Sequence, residues 1–92
     1  MNFLKLMKAQ GNSMAPIIGN GDIVMIDRLS THIRGNIYAV YVDSTIMLKR
    51  LEPLVNGRVR ISSDNFIYKE YEAPVSDVKV MGHVIWIAKE LL

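Results

Sequence analysis

The apolar residues of this chain come in short runs, each bounded by turn-forming residues, and that pattern constrains the fold more than any other feature. "IVMI", Ile23 to Ile26, follows the Gly-Asn-Gly-Asp turn at 19 to 22, and "IYAVYV", Ile37 to Val42, is opened by Gly35-Asn36. Asp43-Ser44 makes a tight turn into "TIMLKRL", Thr45 to Leu51. Pro53 and Asn56-Gly57 then turn the chain into "RVRIS", whose Val59 and Ile61 share one face. Nearer the start, Phe3 to Ala9 reads as a strand ended by Gly11-Asn12. Ser13 is expected to cap one short helical turn through Met14, Pro16 and Ile18, closed by Gly19. Ser63-Asp64-Asn65 breaks a strand, Phe66 to Tyr71 reads as another short one, and Pro74 falls in the loop behind it. The chain closes on "VKVMGHVIWIAKELL", a long bent strand with Gly82 as its bend or bulge. The expected fold is mainly β: a folded-over antiparallel sheet or partly closed barrel of about seven strands with little helix.

A chain of 92 residues, 50% of them hydrophobic, suits one domain spanning residues 1–92, near the lower size at which a single core stands alone. Its 11 basic and 9 acidic residues leave a net charge of +2, too weak and scattered for a dedicated nucleic-acid surface. Arg58 and Arg60 point the same way along a strand and read as a solvated face. With no cysteine there is neither disulfide nor thiolate zinc site, which fits a cytoplasmic protein. His32 and His83 lie far apart and outside any zinc-binding helix pattern, so no metal and no cofactor are expected. No apolar run reaches the roughly 18 to 20 residues that span a bilayer. Lys5 and Lys8 interrupt the opening "MNFLKLMKAQ", which is therefore not read as a signal peptide.

One lysine stands out. Along Thr45 to Leu51 the side chains alternate, so Met47, Lys49 and Leu51 share a face, and Lys49 has apolar neighbours on both sides. Such a lysine either snorkels along the surface or sits in a dry pocket. With a reference pKa of about 10.4, only about one lysine in 2,500 is neutral at pH 7, so only the dry pocket makes it a useful base. Lowering the pKa by about three units costs roughly 4 kcal/mol. Asp22 and Asp27 read as turn caps at the two ends of a buried strand.

The order of short motifs is more specific than any one of them. "GNSM" followed by Pro16, "GD" at Gly21-Asp22, "RGNIYAV" at 34 to 40, "LKRL" at 48 to 51, "SDN" at 63 to 65 and "GHVIWI" at 82 to 87 together resemble the LexA-like self-cleaving repressors, the C-terminal domains of phage repressors and the related UmuD proteins, over nearly the whole chain. In that family the serine of a Gly-Asp-Ser-Met motif attacks a peptide bond and the lysine of a Val-Lys-Arg-Leu motif is its base. The resemblance carries these roles to Ser13 and Lys49, with Asn12 in place of the usual aspartate and Leu48 in place of the usual valine. It implies acyl transfer to Ser13, with Lys49 kept neutral against Met47 and Leu51, and backbone amides of Asn12, Ser13 and Met14 as donors to the oxyanion. Gly11 is either the glycine that permits close approach there or a plain turn residue.

The resemblance further implies a two-fold homodimer formed by carboxy-terminal strands, for which Val84, Ile85, Trp86 and Ile87 are the matching edge. Trp86 is then an interface anchor, although a lone tryptophan in a strand is more often core. The family's trigger is the recombinase filament on single-stranded DNA. Family members cut at an Ala-Gly or Cys-Gly bond upstream of the serine, and neither dipeptide occurs here. Only twelve residues precede Ser13 and no helix-turn-helix is read here, so the chain is expected to be either a short stand-alone relative or the carboxy-terminal domain of a longer repressor, with operator DNA reached only through an amino-terminal domain outside this stretch. A carboxy-terminal repressor domain is the favoured reading. A UmuD-like accessory to a damage-tolerant polymerase and a catalytically silent dimerisation domain are the others. Type I signal peptidases share the Ser-Lys chemistry and a similar motif pattern, but no membrane anchor is expected here and the small size also argues against that reading.

Overall fold

A computed structural model describes residues 3–89. It contains seven strands: β1 (Leu4–Lys8), β2 (Ile23–Asp27), β3 (Ile37–Val42), β4 (Thr45–Pro53), β5 (Arg58–Ser62), β6 (Tyr71–Pro74) and β7 (Lys79–Ala88). They form one sheet in the order β1-β2-β7-β3-β4-β5-β6, every neighbouring pair antiparallel, and the sheet does not close into a barrel. Single 3₁₀ turns occur at Val55–Gly57 and Val75–Asp77. Among the described residues no helix is long and apolar enough to cross a membrane.

The sheet carries a core on each of its faces, and β3 feeds both. Ile37 and Ala39 join Met14, Ile18, Val24, Ile26, Leu48 and Met81 in one cluster. Tyr38 and Val40 join Leu51, Val59 and Ile61 in the other. That division explains why "IYAVYV" is apolar without a polar alternate: its first four residues are buried on both faces. β2 shows the half-buried alternation instead, with Val24 and Ile26 wholly buried and their neighbours partly exposed. Each such aliphatic side chain contributes about 1.5–3 kcal/mol. Tyr38 is buried with its hydroxyl satisfied, accepting from the Arg34 amide at 2.8 Å and donating to the His32 carbonyl at 2.9 Å.

β7 is inserted between β2 and β3 by a long return, and it bends as its glycine suggested. Opposite Ala39 and Val40 it carries an extra residue, Met81, beside Gly82, and opposite Met25 and Ile26 a second, Ile85. A β-carbon on Gly82 would stand 2.5 Å from the Asp27 carbonyl oxygen, so this strand crossing admits nothing larger.

Two expectations need correction. Phe66 to Tyr71 is not a strand: Asn65 folds the chain over instead, its side-chain oxygen accepting from the Ile67 amide (3.3 Å) and its carbonyl from the Tyr68 amide (3.1 Å). Pairing resumes only in β6, an edge strand that ends on Pro74, where a missing N–H costs no ladder bond. Trp86 is not core either, being 62% exposed. The turn caps are in place: Asp22 accepts from the Gly19 amide at 2.7 Å and Asp27 from the Leu29 amide at 3.0 Å. Arg58 and Arg60 make surface ion pairs with Glu72, Glu52 and Glu70.

Candidate functional site

Ser13 stands in the turn between β1 and β2. Ala15 N–H donates to the Asn12 carbonyl (3.1 Å) and Ile18 N–H to the Met14 carbonyl (3.0 Å), which closes the turn and drives Met14 and Ile18 into the first core. The expected capping bond from the serine is missing: among the described residues its hydroxyl has no hydrogen-bond partner, and the main chain closes the turn without it. Nor do the amides of Asn12, Ser13 and Met14 donate to any described residue, whereas the Gly11 amide is taken by the Asn20 side chain at 2.8 Å. Gly11 adopts φ +82, the left-handed region that favours glycine, with open space around it. The corner therefore presents a half-buried hydroxyl beside three uncommitted donors.

A groove of about 350 Å³ opens beside Ser13, with Met7 to Gly11 on one wall and Thr45 to Leu48 on the other. Both walls are strand edges. Among the described residues β1 pairs only with β2, and β5 takes up only Arg50 to Pro53 of β4, so on that side residues 45–49 pair with no described residue. Met47 lines this groove and is 36% exposed. Leu51 is wholly buried in the second core.

Lys49 is half-buried on β4, directly across from Tyr38 of β3. Burial pushes its ammonium below the ordinary lysine value. Its Nζ donates to Ser63 Oγ at 2.9 Å, and among the described residues it makes no ion pair. No hydrogen bond joins it to Ser13. What links the two is the segment after β5: Ser63 receives the lysine, Asp64 holds Arg50 through two bonds of 2.8 and 3.0 Å, and the Asn65 amide donates to the Ser13 carbonyl at 3.0 Å. Asn65 Nδ2 also reaches the Asn12 carbonyl (3.0 Å), and the Tyr68 hydroxyl donates to Asn12 Oδ1 (2.8 Å).

Ser63, Asn65 and Tyr68 were not picked out as site residues from the sequence, although a signal for Ser63 existed. Ser62 pairs with Arg50 and Ile61 with Leu51 around the Asn56-Gly57 turn, so the next position outward sets Ser63 opposite Lys49. The Asn65 and Tyr68 contacts reach back more than fifty residues in sequence, and no local pattern announces them.

Val84 to Ile87 divide by side. Val84 and Ile87 pack against the first core, while Ile85 is 44% and Trp86 62% exposed. β7 is an interior strand only as far as His83, the last residue β3 pairs with before its own start; beyond it, on the β3 side, residues 84–88 pair with no described residue and form an edge.

Residues 2–85 match the Peptidase S24-like family. The chain is 34% identical over 79 residues to the repressor protein CI of Enterobacteria phage phi80, covering 85% of this chain and 34% of that protein. It is 34% identical over 83 residues to the HTH-type transcriptional regulator PrtR of Pseudomonas aeruginosa, covering 83% and 32%. A Haemophilus influenzae protein described as an uncharacterized HTH-type transcriptional regulator is 32% identical over 92 residues, covering 91% and 37%. The chain spans about a third of the length of these curated relatives.

Proposed function

The chain belongs to the Peptidase S24-like family, and from that premise we propose that it is the self-cleavage and dimerisation domain of a phage-type or LexA-like repressor, with Ser13 as nucleophile and Lys49 as base. The observation that carries the reading is the three-residue segment Ser63 to Asn65, which bonds the lysine at one end and the serine's own carbonyl at the other.

The chemistry follows from the side chains. Neutral Lys49 takes the proton of the Ser13 hydroxyl as Oγ bonds to a peptide carbonyl carbon. The oxygen that gains charge is met by the uncommitted amides of the Asn12 to Met14 corner. Collapse breaks the C–N bond, the protonated lysine gives its proton to the departing amine, and water then releases the acyl group from Ser13. An extended peptide suits the groove, because unpaired strand edges on both walls offer main-chain hydrogen bonds.

The peptide in question is a segment upstream of Ser13 in the complete repressor, cut when the recombinase filament on single-stranded DNA engages the protein. Operator DNA is bound by a separate helix-turn-helix domain, and the domain described here joins two such domains as a homodimer through the free edge of β7, with Ile85 and Trp86 as apolar anchors. Relatives described as a repressor and as HTH-type regulators favour this over a polymerase accessory role. A synthetic peptide carrying an Ala-Gly bond, supplied in trans and followed by mass spectrometry, tests the chemistry. Cleavage is expected from the natural chain and not from Ser13→Ala or Lys49→Ala, each still folded by circular dichroism. Undiminished cleavage by either variant refutes the assignment.

A further inference from the structure

The loop from Ser63 to Tyr68 exposes its apolar residues and spends its polar ones. Phe66 is 91% and Ile67 71% exposed, so burial does not hold the loop in place. Hydrogen bonds do, and those that leave the loop end on the dyad or its immediate neighbours: Ser63 on Lys49, Asp64 on Arg50, Asn65 on Asn12 and Ser13, Tyr68 on Asn12. We propose that this loop is a positioning clamp for the Ser13 and Lys49 pair, Ser63 aiming the lysine amine and Asn65 with Tyr68 fixing the serine corner. The proposal deepens the peptidase reading and rests on it.

The physical case begins with the amine. A neutral lysine nitrogen has two hydrogens and one lone pair at the end of a long flexible stem, and only the lone pair can take a proton. Giving one hydrogen to Ser63 Oγ at 2.9 Å removes most of that freedom and leaves the lone pair for the serine. At the other end, the peptide units on both sides of the Ser13 α-carbon are tied. The Asn12 carbonyl takes Asn65 Nδ2 and the Ser13 carbonyl takes the Asn65 amide, so the hydroxyl and the uncommitted amides are presented at a fixed angle. Asn12, which stands where the resemblance leads one to expect aspartate, accepts the Tyr68 hydroxyl at 2.8 Å.

A hydroxyl acceptor favours the ammonium over the amine, so Ser63 opposes burial in setting the lysine's protonation. Tyr38, opposite Lys49 on β3, has its hydroxyl engaged by Arg34 and His32 and its ring against His83, and Arg50, next in sequence, is bound to Asp64. Removing Ser63 therefore lowers the lysine's pKa further while leaving its amine unaimed.

The test measures Lys49 by carbon NMR titration, and serine labelling by a fluorophosphonate across pH, in the natural chain and in Ser63→Ala, Ser63→Thr and Tyr68→Phe. In Ser63→Ala the Lys49 titration is expected to move to lower pH while the alkaline plateau of labelling falls by about tenfold or more, and Ser63→Thr restores both. Tyr68→Phe lowers the plateau and leaves the titration in place. A loop with a merely structural role would lower the melting temperature without moving the titration, and that result overturns the clamp, as does full plateau labelling in both Ser63→Ala and Tyr68→Phe. A Lys49 titration that responds to Ser63 in a natural chain that is never labelled supports the lysine contact but sinks the peptidase reading beneath it.

Discussion

Gly82→Ala isolates one steric demand of the fold. Its added methyl would stand 2.5 Å from the Asp27 carbonyl oxygen and 2.7 Å from Ile26 Cγ2, where ordinary contact begins at 3.4 Å. The obstacle is the β2 backbone rather than a mobile side chain, so β2 and β7 must separate by roughly 0.9 Å locally, enough to carry a bond of about 2.9 Å beyond the useful range. One or two ladder bonds near the Asp27 and His83 pairing weaken, at about 1 kcal/mol each. Ile26, wholly buried, loses contacts as well, which adds about 1–2 kcal/mol. The expected total is about 2–4 kcal/mol, a large part of the roughly 5–14 kcal/mol that holds a domain of this size. At about 4–8 °C per kcal/mol, the melting temperature in differential scanning calorimetry should fall by about 10 °C or more. Gly57→Ala is the control: it has φ +69 and nothing within 4 Å, so it loses only the left-handed preference, at about 1 kcal/mol. A Gly82→Ala domain melting within about 3 °C of the natural one would refute the close-approach argument.

Protonation should leave a mark on stability too. The folded pKa of Lys49 lies below the ordinary 10.5, so between those two values the unfolded chain holds more proton and stability climbs as pH rises. Lys49→Met should remove that climb in urea titrations at successive pH values; an identical slope in the variant would mean that Lys49 is not the desolvated group. For assembly, Ile85→Glu is expected to convert a dimer to a monomer in sedimentation velocity while Tyr41→Glu, on another exposed surface, does not. A dimer surviving Ile85→Glu would place the interface elsewhere.

What could be read in advance tracks how local its cause is. β3 and β5 match the runs Ile37 to Val42 and Arg58 to Ser62, because apolar patterning and the adjacent turns determine both ends. The bend in β7 was visible in Gly82, whereas its insertion between β2 and β3 depends on long-range pairing. Phe66 to Tyr71 misled because strand-forming residues sit beside an asparagine whose side chain competes for their amides. At the site, strand alternation already set Lys49 among apolar neighbours, but its pairing with Ser13 came through resemblance, since a lone serine carries no signature of its own. Their tie through Ser63 and Asn65 appears only once the β4 to β5 register and the return to Asn12 are in three dimensions.

Intact-mass detection of fluorophosphonate labelling, on the natural chain and on Lys49→Ala from pH 7 to 10, tests the central claim most directly. The account predicts one adduct, on Ser13, forming faster as pH rises and absent from the variant. Labelling that is equal in Lys49→Ala, or that falls on another serine, would contradict it.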